Sequence, residues 1–243
     1  VTISLLEAAL DQPDALRPHA VRSVSGARSA ITTAADLWGG AAALRAVPTS
    51  ASTLSLVSSS AADAAAGTGA RTVRLEGLDA SGAEQTEDVA LNGVTPVASS
   101  ALWLRVNAVY ALTAGSGGVN AGDITVTHTG AGAPIAFIAT GDGRALMAAY
   151  SVPAGRVALV LALRAQGDDV VSSPEVTLYE RAGIAGTAPV LRAVSKLLVD
   201  GRGVAIDFRA CPYIEGPADI FARAVSGVSA RITAQLDVLL ASA

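Results

Sequence analysis

The stretch from Val57 to Gly82 reads VSSSAADAAAGTGARTVRLEGLDASG, and its second half decides the fold class. After a loop of small residues, Val73 and Leu75 alternate with Thr72, Arg74 and Glu76. Successive side chains of a strand point to opposite faces, so Arg71–Leu78 offers one apolar face and one face for water.

The same two-residue period, interrupted by Gly, Asn and Pro, continues to the end of the chain. Upstream, Leu54–Val57 makes a first strand. Downstream, EDVAL (Glu87–Leu91) and VTPV (Val94–Val97) flank Asn92-Gly93, a pair that tolerates positive φ and predicts a hairpin. The longest predicted strand is Ala101–Leu112, with Leu102, Leu104, Val106, Ala108, Tyr110 and Leu112 on one face and Trp103, Arg105, Asn107 and Val109 on the other. Asp123–His128 alternates again, with Ile124 and Val126 inward.

Beyond Gly141-Asp142-Gly143, strands are predicted at Leu146–Val152, Arg156–Arg164, Glu175–Arg181, Val190–Leu198, Gly203–Phe208, Ala218–Val225 and Ala230–Leu240. Val157, Leu159, Leu161 and Leu163 share one face of the second of these, and Ile232, Leu236, Val238 and Leu240 one face of the last. Helix formers in Ala218–Leu240 raise a helical alternative, but period two fits the apolar positions at least as well. Ser226-Gly227 falls where a hairpin turn belongs. The expectation is an all-β chain of two β-sandwich or jelly-roll-like halves, residues 49–141 and 142–243, preceded by an extended N-terminal arm, residues 1–48.

Composition narrows the function classes. Of 243 residues, 51% are hydrophobic but only 4% aromatic, so the core is built from small side chains. A net charge of −4 does not supply the concentrated basic surface on which nucleic-acid binding depends. Cys211 is the only cysteine, so neither an internal disulfide nor a thiolate metal cluster can form, and a buried apolar role is expected for it. No basic stretch precedes an apolar run at the N-terminus, and no apolar run reaches about twenty residues. Neither export nor membrane spanning is therefore expected.

Residues Arg17–Pro48 show weak periodicity and many small side chains, which reads as an arm. Its apolar residues Ile31, Leu37 and Trp38 need a cover, supplied by the same subunit or by another copy. Trp103 and Val109, on the incompletely polar face of the longest strand, call for the same. These five are the candidate interface residues.

Catalytic and ligand-binding candidates are poor. The histidines are His19 in the arm and His128 at a strand end, and no serine or cysteine motif accompanies either, so no catalytic residue and no metal or cofactor site is expected. The pairs Glu87-Asp88 and Asp168-Asp169 read as solvated charges. Gly67-Thr68-Gly69 lacks the rest of a phosphate-binding loop and leads into a strand where a helix should begin. The chain is read as a non-enzyme.

Several segments resemble a class of tailed-bacteriophage virion proteins: ITTAADLWGG, SSSAADAAAGTGARTVRLEGLD, LNGVTPV, LWLRVNAVYALTAGSGGVNAGDITV and LMAAYSVPAG, with a looser match at GPADIFARA. The resemblance covers Ile31 to Gly155 and implies a structural place in a particle assembled in the host cytoplasm. It favours a capsid decoration (cement) protein that binds the major capsid protein, forms a homotrimer and contacts neither nucleic acid nor membrane. A tail, neck or fibre-attachment component is one alternative; a host-glycan-binding module centred on Trp103 is another.

Overall fold

The computed structural model describes residues 20–168, 174–183, 190–199, 203–227 and 229–243. The run VTISLLEAAL, whose Ile3, Leu6 and Leu10 fall at roughly helical spacing in the sequence, lies outside them, as do His19, Asp169 and the Asp200-Gly201-Arg202 part of an expected turn. Among the described residues there is no helix; all paired strands are antiparallel and fall into four sheets.

Two sheets make the first half. One has the order β5 (Glu84–Ala90), β4 (Ala70–Leu78), β7 (Arg105–Ala114); the other β6 (Val97–Ala98), β3 (Leu54–Ser58), β8 (Ile124–His128), β9 (Ala133–Ile138). Their inner faces enclose Leu54, Leu56, Val73, Leu75, Ile124, Val126 and Ile138. The alternation of the Val57–Gly82 stretch therefore reads as expected, with Val73 and Leu75 fully buried.

The second half packs β1 (Ala20–Ile31), β17 (Ala230–Ser242), β11 (Arg156–Gly167) and β14 (Val204–Asp207), with β15 (Tyr213–Glu215) beside β11, against a second sheet. That sheet runs β10 (Ala149–Val152), β16 (Ala218–Val225), β12 (Glu175–Ala182), β13 (Leu191–Leu198), with β2 (Ala35–Asp36) beside β16. Along β17 every second residue from Ala230 to Leu240 is buried, the strand pattern over the helical one.

The arm expectation is corrected from residue 20 onward. Ala20–Ile31 is a twelve-residue edge strand that pairs with β17 from Ala20↔Leu240 to Ile31↔Ala230. Its alternation was hard to see because Gly26 occupies an inward position: a Cβ there would lie 2.0 Å from the Leu37 carbonyl oxygen. A bulge between Arg28 and Ile31, with Ala30 at φ 55°, realigns Ile31 with Ala230 and the core.

Both predicted hairpin turns join different sheets. Asn92-Gly93 does form a tight turn, with Thr95 N–H donating to the Asn92 carbonyl (3.1 Å), but β5 pairs with β4 while β6 pairs with β3. Ser226-Gly227 likewise lies between β16 and β17, which belong to opposite sheets of the second half. A turn's chemistry permits the chain reversal; burial of apolar faces decides which sheet receives the next strand.

Two bulges overturn the predicted faces. In β11, Val160 faces Val238 and Ala162 faces Asp237, so Leu161 is the extra residue. Ala158 and Val160 then point inward before it, and Leu163 and Ala165 after it. In β7, Gly77 faces Val106 and Glu76 faces Ala108, leaving Asn107 as the extra residue. Val106 and Val109 thus reach one core, while Leu102 and Leu112 are exposed.

Candidate functional site

None of the five candidate interface residues is on the surface. Ile31, Leu37, Trp38, Trp103 and Val109 are each at most 2% exposed. Of the two covers open to them, the same subunit's applies, which corrects their assignment as interface residues: the chain's own second layer buries them. Leu37 packs into the core of the second half and its neighbour Trp38 into the core of the first. Adjacent extended residues point opposite ways, so this dipeptide fastens both halves together. Trp38 Nε1 donates to the Ala42 carbonyl (3.0 Å), and its ring lies where a Cβ on Gly40 would be, 2.1 Å away. Trp103 Nε1, by contrast, is buried without a hydrogen-bond partner. A glycan platform centred on Trp103 is excluded by its complete burial.

The GTGAR segment is organised by Asp63, which is fully buried. Its Oδ1 accepts from the N–H groups of Ala70 (2.7 Å) and Ala121 (2.8 Å), and its Oδ2 from Gly122 N–H (2.9 Å) and the Ser58 hydroxyl (2.6 Å). Burial opposes ionisation, but these donors outweigh it and hold the carboxyl below its ordinary pKa. A Cβ on Gly69 would meet Asp63 Oδ1 at 2.1 Å, which explains a glycine at that place. The neighbouring GVNAGD turn is tied down the same way: Asn120 bonds Gly122, Ala139 and Gly143 through its amide, and Asp123 accepts from Thr140. Of the two glycines in Gly67-Thr68-Gly69, Gly69 makes room for this internal carboxylate, and Gly67 for the Ala62 carbonyl, which a Cβ would meet at 2.0 Å.

The densest polar constellation lies between the halves. Arg105, at the start of β7, donates through Nε to both oxygens of Asp219 on β16 (2.9 and 3.1 Å) and through Nη1 to the Pro48 carbonyl (2.6 Å). The Ser151 hydroxyl donates to the same carboxylate (2.7 Å), and Arg181 approaches it at 3.4 Å. Burial opposes the charge on Asp219; the Arg105 guanidinium first, then Ser151 and Arg45, keep its pKa below the ordinary value. Arg45, whose Nη1 reaches the Val106 carbonyl at 3.4 Å, has its pKa drawn down by burial against the pull of Asp219 and Asp36. Next to this pair, bulged Asn107 gives its Nδ2–H to the Ser151 carbonyl (2.9 Å) and takes the Ser151 N–H on Oδ1 (2.7 Å). A side-chain amide here imitates the exchange that two paired strand residues would make.

The constellation continues outward. Asp36 accepts from Arg223 Nε (2.8 Å) and Arg45 N–H (2.9 Å). Arg223 and Arg181 lie over the Phe221 ring at 5.3 and 4.9 Å, and Phe221 stacks on Tyr179 with centroids 5.6 Å apart. Four of the segments that carry the phage-protein resemblance therefore meet at one place: ADLWGG brings Asp36 and Trp38, LRVN brings Arg105 and Asn107, YSVPAG brings Ser151, and GPADIFARA brings Asp219 and Arg223. Sequence reasoning missed Asp36, Asp219 and Arg45. The available signal was a lone aspartate inside the apolar run of GPADIFARA, where an unpaired carboxylate would be costly.

Beside the junction opens a cleft of about 570 Å³, bounded by β1 on one side and by β4, β5 and β7 on the other. Arg22, Glu76, Glu84, Tyr110, Arg144 and Tyr150 line it. Tyr110 donates its hydroxyl to Glu76 (2.7 Å). Burial, then the Glu84 carboxylate, push the Tyr150 hydroxyl up to about 12 against the opposing effect of Arg22. A second groove, about 440 Å³, runs beside β1, β11, β14 and β17 and is lined mainly by small side chains such as Ser25, Ala27 and Ala205.

The remaining candidates have structural partners. His128, at the end of β8, is buried; Ala131 N–H donates to its Nδ1 (3.0 Å), and its Nε2 lies 3.0 Å from the Trp103 carbonyl oxygen. Cys211 is half-buried rather than buried, and burial raises its thiol pKa. Glu87 and Asp88 point apart: Glu87 accepts from the N–H groups of Ser100 and Ala101, and Asp88 pairs with Arg74. Asp168 accepts from Arg231 N–H (2.7 Å). Among the described residues no group of three or more His, Cys, Asp or Glu is placed to hold a metal ion.

No protein-family model matches the chain, and no curated protein matches it. Among solved structures it is similar to the infectious bursal disease virus Gx strain structure, at 11% identity and TM-score 0.23, over 92% of this chain and 75% of that one. The VP2 subviral particle of that virus follows at 10% identity and TM-score 0.20, over 93% of this chain and 80% of that one.

Proposed function

We propose that this chain is a structural component of a virus particle and acts without catalysis. The observation that supports the reading is where the motif segments go. Asp36 and Trp38, Arg105 and Asn107, Ser151 and Asp219 come from four distant segments: Arg105 and Asn107 of the first half bind Asp219 and Ser151 of the second, Trp38 reaches the first core beside Leu37 in the second, and Asp36 holds Arg223 at the edge of the same junction. What these segments specify is a rigid two-part β body. A scaffold of that kind suits a protein whose weak contacts are multiplied by symmetry.

Within that class, the resemblance to tailed-phage virion proteins favours a decoration protein seated on the major capsid protein as a homotrimer. The test is the intact particle. Cryo-EM density at symmetric positions over the shell, together with a trimeric mass by light scattering, is the expected result. Density confined to the tail or neck would replace decoration by the attachment reading. Absence from purified particles would overturn the structural role itself. Particles lacking the protein should also release DNA at a lower temperature than wild type.

A further inference from the structure

The cleft beside the junction has a chemistry that the scaffold role does not use. It is bounded on both sides by backbone held in sheets, and it has the volume of a small-ligand site, about 570 Å³. Two carboxylates, Glu76 and Glu84, and two guanidiniums, Arg22 and Arg144, line it, so its formal charge is balanced. Tyr110 adds a part-exposed ring and hydroxyl, while Tyr150, whose ring is buried in the core of the second half, closes the floor. Three other lining residues are already committed elsewhere: Asn107 to Ser151, Ser23 to Asp237 and Gln85 to the Leu102 carbonyl. The carboxylate of Glu76 is held by Tyr110 through one oxygen only.

We infer that this cleft binds a short neutral oligosaccharide, with the Glu76 and Glu84 carboxylates accepting from its hydroxyls, Arg22 and Arg144 donating to them, and the Tyr110 ring covering a C–H face. Sugar hydroxyls both donate and accept, so they match a lining in which strong acceptors and strong donors are mixed. An anionic ligand would meet two carboxylates and a cationic one two guanidiniums, each at a cost that a neutral polyol avoids. The 440 Å³ groove offers no comparable set, since Arg164 there already pairs with Asp207 and Asp237. The inference stands apart from the virion reading, and either can fail without the other.

The test is an array of neutral, uronic-acid-containing and amino-sugar oligosaccharides probed with the full chain, followed by titration calorimetry on each hit as a free oligosaccharide and as the parent polysaccharide. Binding to both forms points to internal sugar units; binding to the free form alone limits the site to chain ends. Glu84→Gln and Arg144→Gln alter exposed side chains and should keep the unfolding temperature of wild type while weakening a neutral glycan at least about tenfold each. The inference is overturned by three results: no neutral glycan bound by folded protein, preference for polyanionic glycans, or affinity unchanged in both variants. Tyr110→Phe, which retains the ring, gives a milder version of the same readout.

Discussion

Two aspartates, Asp63 and Asp219, are each at most 2% exposed, yet their charges are met by different means. Asp63 has no cation against it: three backbone N–H groups and a serine hydroxyl carry its charge, from the end of β3, the start of β4 and the turn before β8, all in the first half. Asp219 is held by Arg105 from the opposite half, with Ser151 and Arg181 adding to it. The first carboxylate builds a local shape, while the second joins bodies that are remote in sequence. Charge met by oriented dipoles stays within a loop, whereas charge met by a long guanidinium can span a junction.

The comparison is broken most severely at Asp219. Asp219→Ala leaves buried Arg105 and half-buried Arg181 without their carboxylate and should cost about 3–5 kcal/mol. Calorimetry should then resolve two unfolding transitions; a single transition at unchanged temperature would show that the junction does not couple the halves. Asp63→Ala removes the shared acceptor of four donors and should cost about 2–3 kcal/mol, confined to the first half. Hydrogen exchange should speed up at Ala70, Ala121 and Gly122 while β10 and β16 keep their protection.

Asn107→Ala tests the amide clamp alone. Two neutral hydrogen bonds to Ser151 are lost, for about 1–2 kcal/mol, with the Arg105–Asp219 pair intact. Acid gives a partial form of both aspartate losses. Each folded pKa lies below the ordinary carboxylate value of 3.8, so the ionised form stabilises the fold. That contribution is complete above the unfolded pKa and drains as the pH falls beneath it toward the folded value. Denaturant midpoints should therefore be flat from neutral pH to about 5 and fall below 4, and less steeply in Asp63→Ala. The smallest effect belongs to the exposed pair Arg74–Asp88, where Asp88→Ala should leave the midpoint near that of wild type at physiological salt.

The strands were legible wherever one face is apolar and the other polar. Ala218–Val225 has the predicted bounds, and β3, β4, β8, β12 and β17 depart from theirs by two residues or fewer. β1 was not legible, because Gly26 and Arg28 stand at inward positions where a period-two reading looks for apolar side chains. The faces of β7 and β11 are hidden for another reason: one inserted residue, Asn107 or Leu161, inverts the side chains that follow it up to the next irregularity, and nothing local marks it. The candidate residues Trp38 and Trp103 were rightly seen to need a cover, but their sequence neighbourhood cannot say whether a second sheet or a second chain supplies it.

By itself the sequence determined the class of fold: alternation sets which side chains of a strand share a face, and glycine, proline and asparagine set where strands stop, both over a few residues. It also singled out, through its motif segments, the stretches that matter most. Only the tertiary structure decided what those stretches are for. Arg105 and Asp219 are 114 positions apart, and their charges become partners because two sandwiches are pressed together over them, a contact that depends on every sheet in between. The tertiary structure likewise made the cleft, whose walls come from β1 near one end of the chain and from strands of the other half.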